Sequence, residues 1–145
     1  MSTGRRDEPL RDLALVHALR AASRSPDRVR LRSGLVDRLT VAQTLLPRAL
    51  RFLVIAGFHA PDRVGPCPQA DEHRTGGAVD LTLSVSGRPE PALWSATPPP
   101  EWPTAEHALL SIGMVNGDRW WHWSFGDDRW SAGTGAPAPL YDAIP

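Results

Sequence analysis

The sequence has little or none of several residue types, and each shortage excludes a class of protein. Cys67 is the only cysteine, which excludes an internal disulfide and any metal site built from several cysteines. Lysine is absent, and sixteen arginines balance sixteen acidic residues without a long block of either sign. A nucleic-acid partner or a membrane-surface partner is therefore not expected.

Long apolar runs are also missing. No segment approaches the roughly 18 consecutive apolar residues of a membrane span, and the first nine residues lack the apolar stretch of a signal peptide. We therefore expect a cytoplasmic protein. With 145 residues, 41% of them hydrophobic, the chain has the size and composition of one globular domain. We predict a flexible N-terminus over 1–9 and a single domain over 10–145.

Hydrophobic spacing indicates which segments form helices and strands. Apolar residues that recur at helical spacing predict helices over 10–23, 36–46 and 104–112. The last of these helices has Thr104 as its predicted N-cap and Gly113 as its predicted stop. Alternating, continuous apolar or aromatic stretches predict strands over 28–32, 52–57, 78–85 and 120–125. Proline-rich loops are predicted over 61–69 and 89–103. The order indicates an α+β domain with a small, largely antiparallel sheet and flanking helices.

A histidine and a carboxylate stand close together at the start of the third predicted strand. His73 and Asp80 can converge if Gly76 and Gly77 bend the backbone between them. Imidazole nitrogen and carboxylate oxygen are suitable zinc ligands, and a charged Asp80 among apolar neighbours would be costly to bury without a cation or hydrogen bonds. The alternative for this segment is a surface-facing Asp80 on an amphipathic strand.

A second histidine, His122, lies within the aromatic stretch Trp120–Phe125. Taken alone, it fits a packed core residue as well as a metal ligand whose orientation is fixed by aromatic neighbours. Cys67 is a further candidate, either as a nucleophile or as an extra ligand, although nothing near it in sequence marks an activated thiol. Trp94 and Trp102, set among prolines, fit either a cap over the site or a loop folded onto the core.

Together these segments resemble the VanX-like D-alanyl-D-alanine dipeptidases. The family pattern Ser-x-His-x-x-Gly-x-Ala-x-Asp is matched at His73, Gly76, Ala78 and Asp80, and its later Glu-Trp-Trp-His stretch is matched at His122. The resemblance covers about residues 36–141. It implies a metallopeptidase-like domain with one zinc ion held by His73, Asp80 and His122, and a fourth position for water or substrate. Iron, cobalt or nickel would accept the same ligands.

Three positions depart from the family pattern while the three ligands remain. Arg119 replaces the glutamate that serves the family as general base, and arginine cannot accept a proton at neutral pH. His59 replaces the arginine that stabilises the oxyanion, and Asp71 replaces the serine before the first ligand. Losing a general base costs about a hundred- to ten-thousand-fold in rate. Asp118, Asp71 and Glu72 are conceivable substitutes.

The resemblance and its departures leave three functions open. The first is a zinc enzyme repurposed for a small anionic substrate, with Arg119 and Trp121 binding the substrate and His59, Asp71 or Asp118 moving protons. Its reaction would be an elimination, a cyclisation, an isomerisation or an amide hydrolysis. The second is a D,D-dipeptidase or amidase with a relocated general base. The third is a non-catalytic protein that binds a metal or a small ligand.

Overall fold

The computed structural model describes residues 7–25, 28–59, 67 and 70–145. In chain order, its elements are β1 (Leu10–Asp12), a 3-10 turn (Leu13–Leu15), β2 (Arg20–Ala21), β3 (Arg30–Arg32), α1 (Ser33–Thr44), β4 (Leu50–Ala56), α2 (Ala70–His73), β5 (Ala78–Val85), α3 (Trp102–Ser111), β6 (Val115–Asn116), β7 (His122–Ser124) and α4 (Asp128–Thr134). The predicted α+β class is confirmed.

A five-stranded sheet with the order β2-β4-β5-β7-β6 forms the centre of the described fold. Only β2 pairs in parallel, with β4, and the remaining neighbours are antiparallel. A separate antiparallel ribbon joins β1 to β3. The predicted largely antiparallel sheet is therefore confirmed, and β5 is its central strand, paired on both sides.

The two faces of β5 have different roles because successive side chains on a strand point to opposite sides. Val79, Leu81 and Leu83 belong to the same buried core as the apolar residues of α1 and α3. Asp80 and Thr82 alternate with them and therefore point to the other face, where both are buried. Helices α1 and α3 thus cover one side of the sheet, and the candidate ligand Asp80 lies on the other.

The predicted helix over 10–23 is wrong. The segment instead forms β1, a 3-10 turn and β2, because its backbone pairs with distant strands: β1 with β3 and β2 with β4. The Asp12 side chain caps the turn by accepting from the Ala14 amide. Leu13 and Leu19 are buried as the helical spacing suggested, but Ala14, which the same spacing places on that face, is exposed. Tertiary pairing has overridden helical periodicity.

The other predicted elements fit with shifted ends. The helices predicted over 36–46 and 104–112 correspond to α1 and α3, although α3 begins at Trp102 and its N-cap position is Glu101 rather than Thr104. Gly113, with φ of 83°, ends α3 as predicted. The strand predicted over 120–125 is confined to β7, while α2, β6 and α4 were not predicted. Most of the proline-rich segment 61–69, and residues 1–6 of the predicted flexible N-terminus, fall outside the described residues.

Candidate metal centre

The turn between α2 and β5 brings His73 towards Asp80. His73 is the last residue of α2, and Gly76, with φ of 74°, reverses the chain before β5 begins. Gly77 lies so close to β7 that an added Cβ would stand 2.5 Å from the Phe125 carbonyl oxygen. The glycine pair therefore makes the bend that the sequence predicted, and it also permits close packing of the turn against β7.

Strand pairing brings His122 to Asp80. The two residues are direct partners in the antiparallel register of β5 with β7, so their side chains stand side by side on one face of the sheet. Asp80 Oδ1 lies 3.0 Å from His122 Nδ1 and 3.0 Å from His73 Nε2. The chain thus gathers the three predicted ligands from α2, β5 and β7.

Cys67 is the fourth member of the group. Its Sγ lies 3.5 Å from Asp80 Oδ1 and 3.4 Å from His122 Nδ1. One donor atom from each of the four residues falls within 4.8 Å of the others, and this group could hold a metal ion. His73, Asp80 and His122 have no exposed surface and Cys67 is only 4% exposed, so this is an interior cluster rather than a set of solvated surface groups.

Each imidazole has its outer nitrogen bound to an acceptor outside the cluster. His73 Nδ1 lies 2.8 Å from the Gly57 carbonyl oxygen, and His122 Nε2 lies 3.0 Å from Glu72 Oε1. Both acceptors require the outer nitrogen to carry the hydrogen. A neutral ring then turns a lone pair inwards, towards the carboxylate oxygen of Asp80. Two lone pairs facing one anionic oxygen repel each other unless protons or a cation lie between them.

The pKa values of the four groups reflect this demand for positive charge. Burial alone would lower the pKa of both histidines, but hydrogen bonds to Asp80 raise it to about 9 for His73 and about 11 for His122. Burial would raise the pKa of Asp80, yet the two histidines hold it well below its usual range. Burial also opposes ionisation of Cys67, but its bonds to the histidines lower the thiol pKa overall.

A carboxylate and a guanidinium form a second layer behind His122. Glu72 accepts from Arg129 twice, at 2.9 Å from Nε and 3.1 Å from Nη2, and also from Ser124 Oγ at 3.3 Å. Burial would raise the pKa of Glu72, but His122 and Arg129 lower it to about 2. An ionised Glu72 fixes the orientation of the His122 ring, as outer carboxylates do for metal-binding histidines.

The residues predicted for catalysis are dispersed around this cluster. Asp71 and Arg119 are exposed, and the Asp118 side chain is 75% exposed, 3.7 Å from Arg129. His59 is buried, and its ring meets His73 edge-on with 5.0 Å between centroids. Trp121, predicted to bind substrate, is buried immediately before β7. Of this group, His59 contacts the side chain of a donor, His73, and Arg119 accepts from the backbone amide of His122 through its carbonyl oxygen at 3.1 Å.

Arg129 has no role predicted from the sequence, and Glu72 was predicted only as a conceivable base. Along the chain, Glu72 is 50 residues from His122 and 57 residues from Arg129, the two residues that it contacts in the structure. The available signal was the position of Glu72 directly before His73, together with the acidic and basic residues that follow β7. Nothing in the spacing alone paired the Glu72 carboxylate with the outer nitrogen of His122.

Comparison with known proteins does not supply a family. No protein-family model matches the sequence, and no curated protein matches it either. Within the described part of the chain, no helix combines the length and apolar character needed to cross a membrane.

Proposed function

We propose that this chain binds one divalent metal ion, zinc by preference, through Cys67, His73, Asp80 and His122. The observation that carries the proposal is the convergence of four buried donor atoms within 4.8 Å of one another. Two imidazoles, a carboxylate and a thiol are a set that zinc accepts with tetrahedral geometry. Calcium and magnesium prefer oxygen ligands alone, whereas iron, cobalt and nickel tolerate the set.

The charges of the donors support a divalent ion. An ionised Asp80 and a Cys67 thiolate together carry two negative charges, and both histidines are neutral when their inner nitrogens act as ligands. A bound zinc ion would supply two positive charges and make the buried group neutral. Neutrality matters because an uncompensated charge is costly at positions with almost no solvent exposure.

The fourth donor favours metal binding without hydrolysis. Structural zinc sites take four protein ligands, whereas catalytic sites keep one position for water or substrate. Cys67 stands where the dipeptidase-like arrangement implied by the sequence would need that position. Arg119, which replaces the general base in that resemblance, is exposed. We therefore infer a non-hydrolytic metal-binding protein on a D,D-dipeptidase-like scaffold.

A metal-dependent enzyme acting on a small carboxylate substrate is the second candidate. The observation that favours it is His59, a buried imidazole whose ring is in edge contact with that of His73. In that function, His59 would move a proton beside the centre, and Arg119 would bind the substrate carboxylate with its planar fork. This candidate needs Cys67 to leave the coordination sphere when substrate binds.

Cobalt substitution tests the proposed ligand set directly. We expect the cobalt-loaded protein to show the intense visible absorption of a tetrahedral site and a thiolate charge-transfer band. Cys67→Ser should lose the charge-transfer band while cobalt still binds, and Cys67→Ala serves as a second variant without a hydroxyl ligand. A wild-type spectrum without the thiolate band would refute the four-donor set, even if the ion binds through the other three residues.

An activity assay separates the two candidates. We expect the zinc-loaded protein not to hydrolyse D-Ala-D-Ala or other D,D-dipeptides. Turnover that disappears in His59→Gln would establish the enzyme and overturn the non-hydrolytic proposal. Activity that is absent from the wild-type protein and gained in Cys67→Ala would instead support the non-hydrolytic proposal. In that variant, removal of the fourth donor opens a position on the metal.

A further inference from the structure

The proline-rich segment between β5 and α3 is fastened to the fold at both ends. We call residues 89–101 the strap. At its base, the Arg88 guanidinium lies 2.7 Å from the Glu101 carboxylate. Near its start, Glu90 accepts from both the backbone amide and the hydroxyl of Ser23, each at 2.9 Å. The strap therefore has a fixed path across the sheet.

In the middle of the strap, Trp94 donates to the candidate metal centre. Its indole Nε1 lies 2.9 Å from Asp80 Oδ2. Trp94 is also the only non-glycine residue with positive φ, 50°, among the described residues. A bulky side chain rarely adopts this backbone conformation, so the fold accepts an unfavourable backbone at the one strap residue that reaches the centre.

The two oxygens of Asp80 are thereby divided between different partners. Oδ1 faces His73 and His122, each at 3.0 Å, and Cys67 at 3.5 Å. Oδ2 accepts from Trp94, whose indole nitrogen is a donor only. A hydrogen bond to an ionised carboxylate is stronger and shorter than one between neutral groups, so this contact fixes the orientation of the whole carboxylate.

We propose that Trp94 is a positioning residue of the metal centre, holding Asp80 Oδ2 so that Oδ1 alone is presented to the ion. This inference rests on the proposed function, because it assumes that the four donors bind a metal. Its consequence is that metal affinity depends on the strap through one indole N–H. Partners that orient metal ligands from outside typically contribute 10- to 100-fold in affinity.

Trp120, which lies outside the strap but donates to it, provides a matched control. Its indole N–H donates to the Ser95 carbonyl oxygen at 2.8 Å, one residue along from Trp94. Substituting phenylalanine at either position removes one indole N–H bond that ties down the strap. Only Trp94→Phe removes a bond to a metal ligand. A purely structural role for Trp94 therefore predicts similar zinc affinities for the two variants.

The test is the zinc dissociation constant of wild type, Trp94→Phe and Trp120→Phe, measured by competition with a chromophoric chelator. We expect about 10- to 100-fold weaker binding for Trp94→Phe and wild-type binding for Trp120→Phe. Equal affinities for the two variants would overturn the inference while leaving the metal site intact. Absence of zinc binding in the wild-type protein would overturn the proposed function and this inference together.

A second measurement does not depend on any variant folding. The indole N–H resonance of Trp94 can be assigned by NMR in the wild-type protein. It should shift when zinc is added, because the ion draws charge from the Asp80 carboxylate that accepts the Trp94 hydrogen bond. The Trp120 resonance should move little, since its acceptor is the Ser95 carbonyl oxygen. A Trp94 resonance whose chemical shift stays the same while the protein binds zinc would contradict the positioning role.

Discussion

Replacing Asp80 with asparagine should separate the stability of the fold from the binding of metal. Asparagine has nearly the same shape, but it carries no charge and its amide nitrogen offers two donors. With that nitrogen in the place of Oδ1, the two hydrogens can reach His73 Nε2 and His122 Nδ1, each 3.0 Å away. The amide oxygen can still accept from Trp94. In the metal-free variant, both histidines and Trp94 therefore keep a hydrogen bond to residue 80, and only the weak 3.5 Å contact from the Cys67 thiol loses its acceptor.

The expected free energies follow from this geometry. Without metal, we expect Asp80→Asn to unfold within about 1 kcal/mol of wild type, because a satisfied neutral group can replace a buried ionic one at little cost. Asp80→Ala leaves two buried imidazoles unpaired and should lose about 3–5 kcal/mol. At zinc concentrations of about 100 times the wild-type dissociation constant, wild type gains about 2.7 kcal/mol. The asparagine variant, binding at least ~100-fold more weakly, gains at most about 0.4 kcal/mol.

Urea unfolding with zinc and with a chelator measures all of these values. In thermal unfolding, the wild-type gain corresponds to a rise in Tm of roughly 5–11 °C for a domain of this size. Asp118→Asn, at a side chain that is 75% exposed, is the control for a lost carboxylate outside the cluster. Full zinc stabilisation of Asp80→Asn would contradict the role of the Asp80 charge in metal binding. A metal-free Asp80→Asn as unstable as Asp80→Ala would contradict the hydrogen bonds expected of the amide.

Three further predictions concern the surroundings of the centre. Glu72→Gln should weaken zinc binding about 10- to 100-fold in a chelator competition, since it removes the carboxylate that orients His122; unchanged affinity would exclude that role. Gly77→Ala should cost about 1–3 kcal/mol in urea unfolding, because its Cβ would crowd the Phe125 carbonyl oxygen; an unchanged midpoint would contradict this packing. In chelator-treated protein, the raised pKa values of the two histidines should stabilise the fold fully below about pH 6.5. This stability should be lost as the pH rises through about 9 for His73 and about 11 for His122. A free energy of unfolding that rises over that pH range would contradict the raised pKa values.

Local patterns predicted the part of the site that lies on β5, whereas His122 on β7 was predicted as a ligand only through the family resemblance. Asp80 is a candidate ligand because it is a charged residue within an apolar strand. The glycine pair before it predicts a bend, and the positive φ of Gly76 confirms that bend. The alternation of β5 also determines which face carries Asp80 and which face joins the core. These features depend on neighbours within a few residues, which a single sequence records directly.

The rest of the site depends on contacts that the sequence does not record. Trp94 is 14 residues from Asp80, and Arg129 is 57 residues from Glu72. No local period links such positions, and only the folded path of the strap and of α4 brings them together. The first predicted helix is wrong for a related reason: the burial of Leu13 follows helical spacing, but pairing of β1 with β3 determines the backbone conformation.

The metal content of the purified protein tests the central claim most directly. Elemental analysis should be run on wild type and on a His73→Ala/His122→Ala double variant, each after reconstitution with zinc and removal of excess ion. We predict one zinc ion per wild-type chain and none in the double variant, because both imidazoles belong to the buried donor group. Zinc absent from wild type, or retained equally by the double variant, would contradict the proposed metal centre.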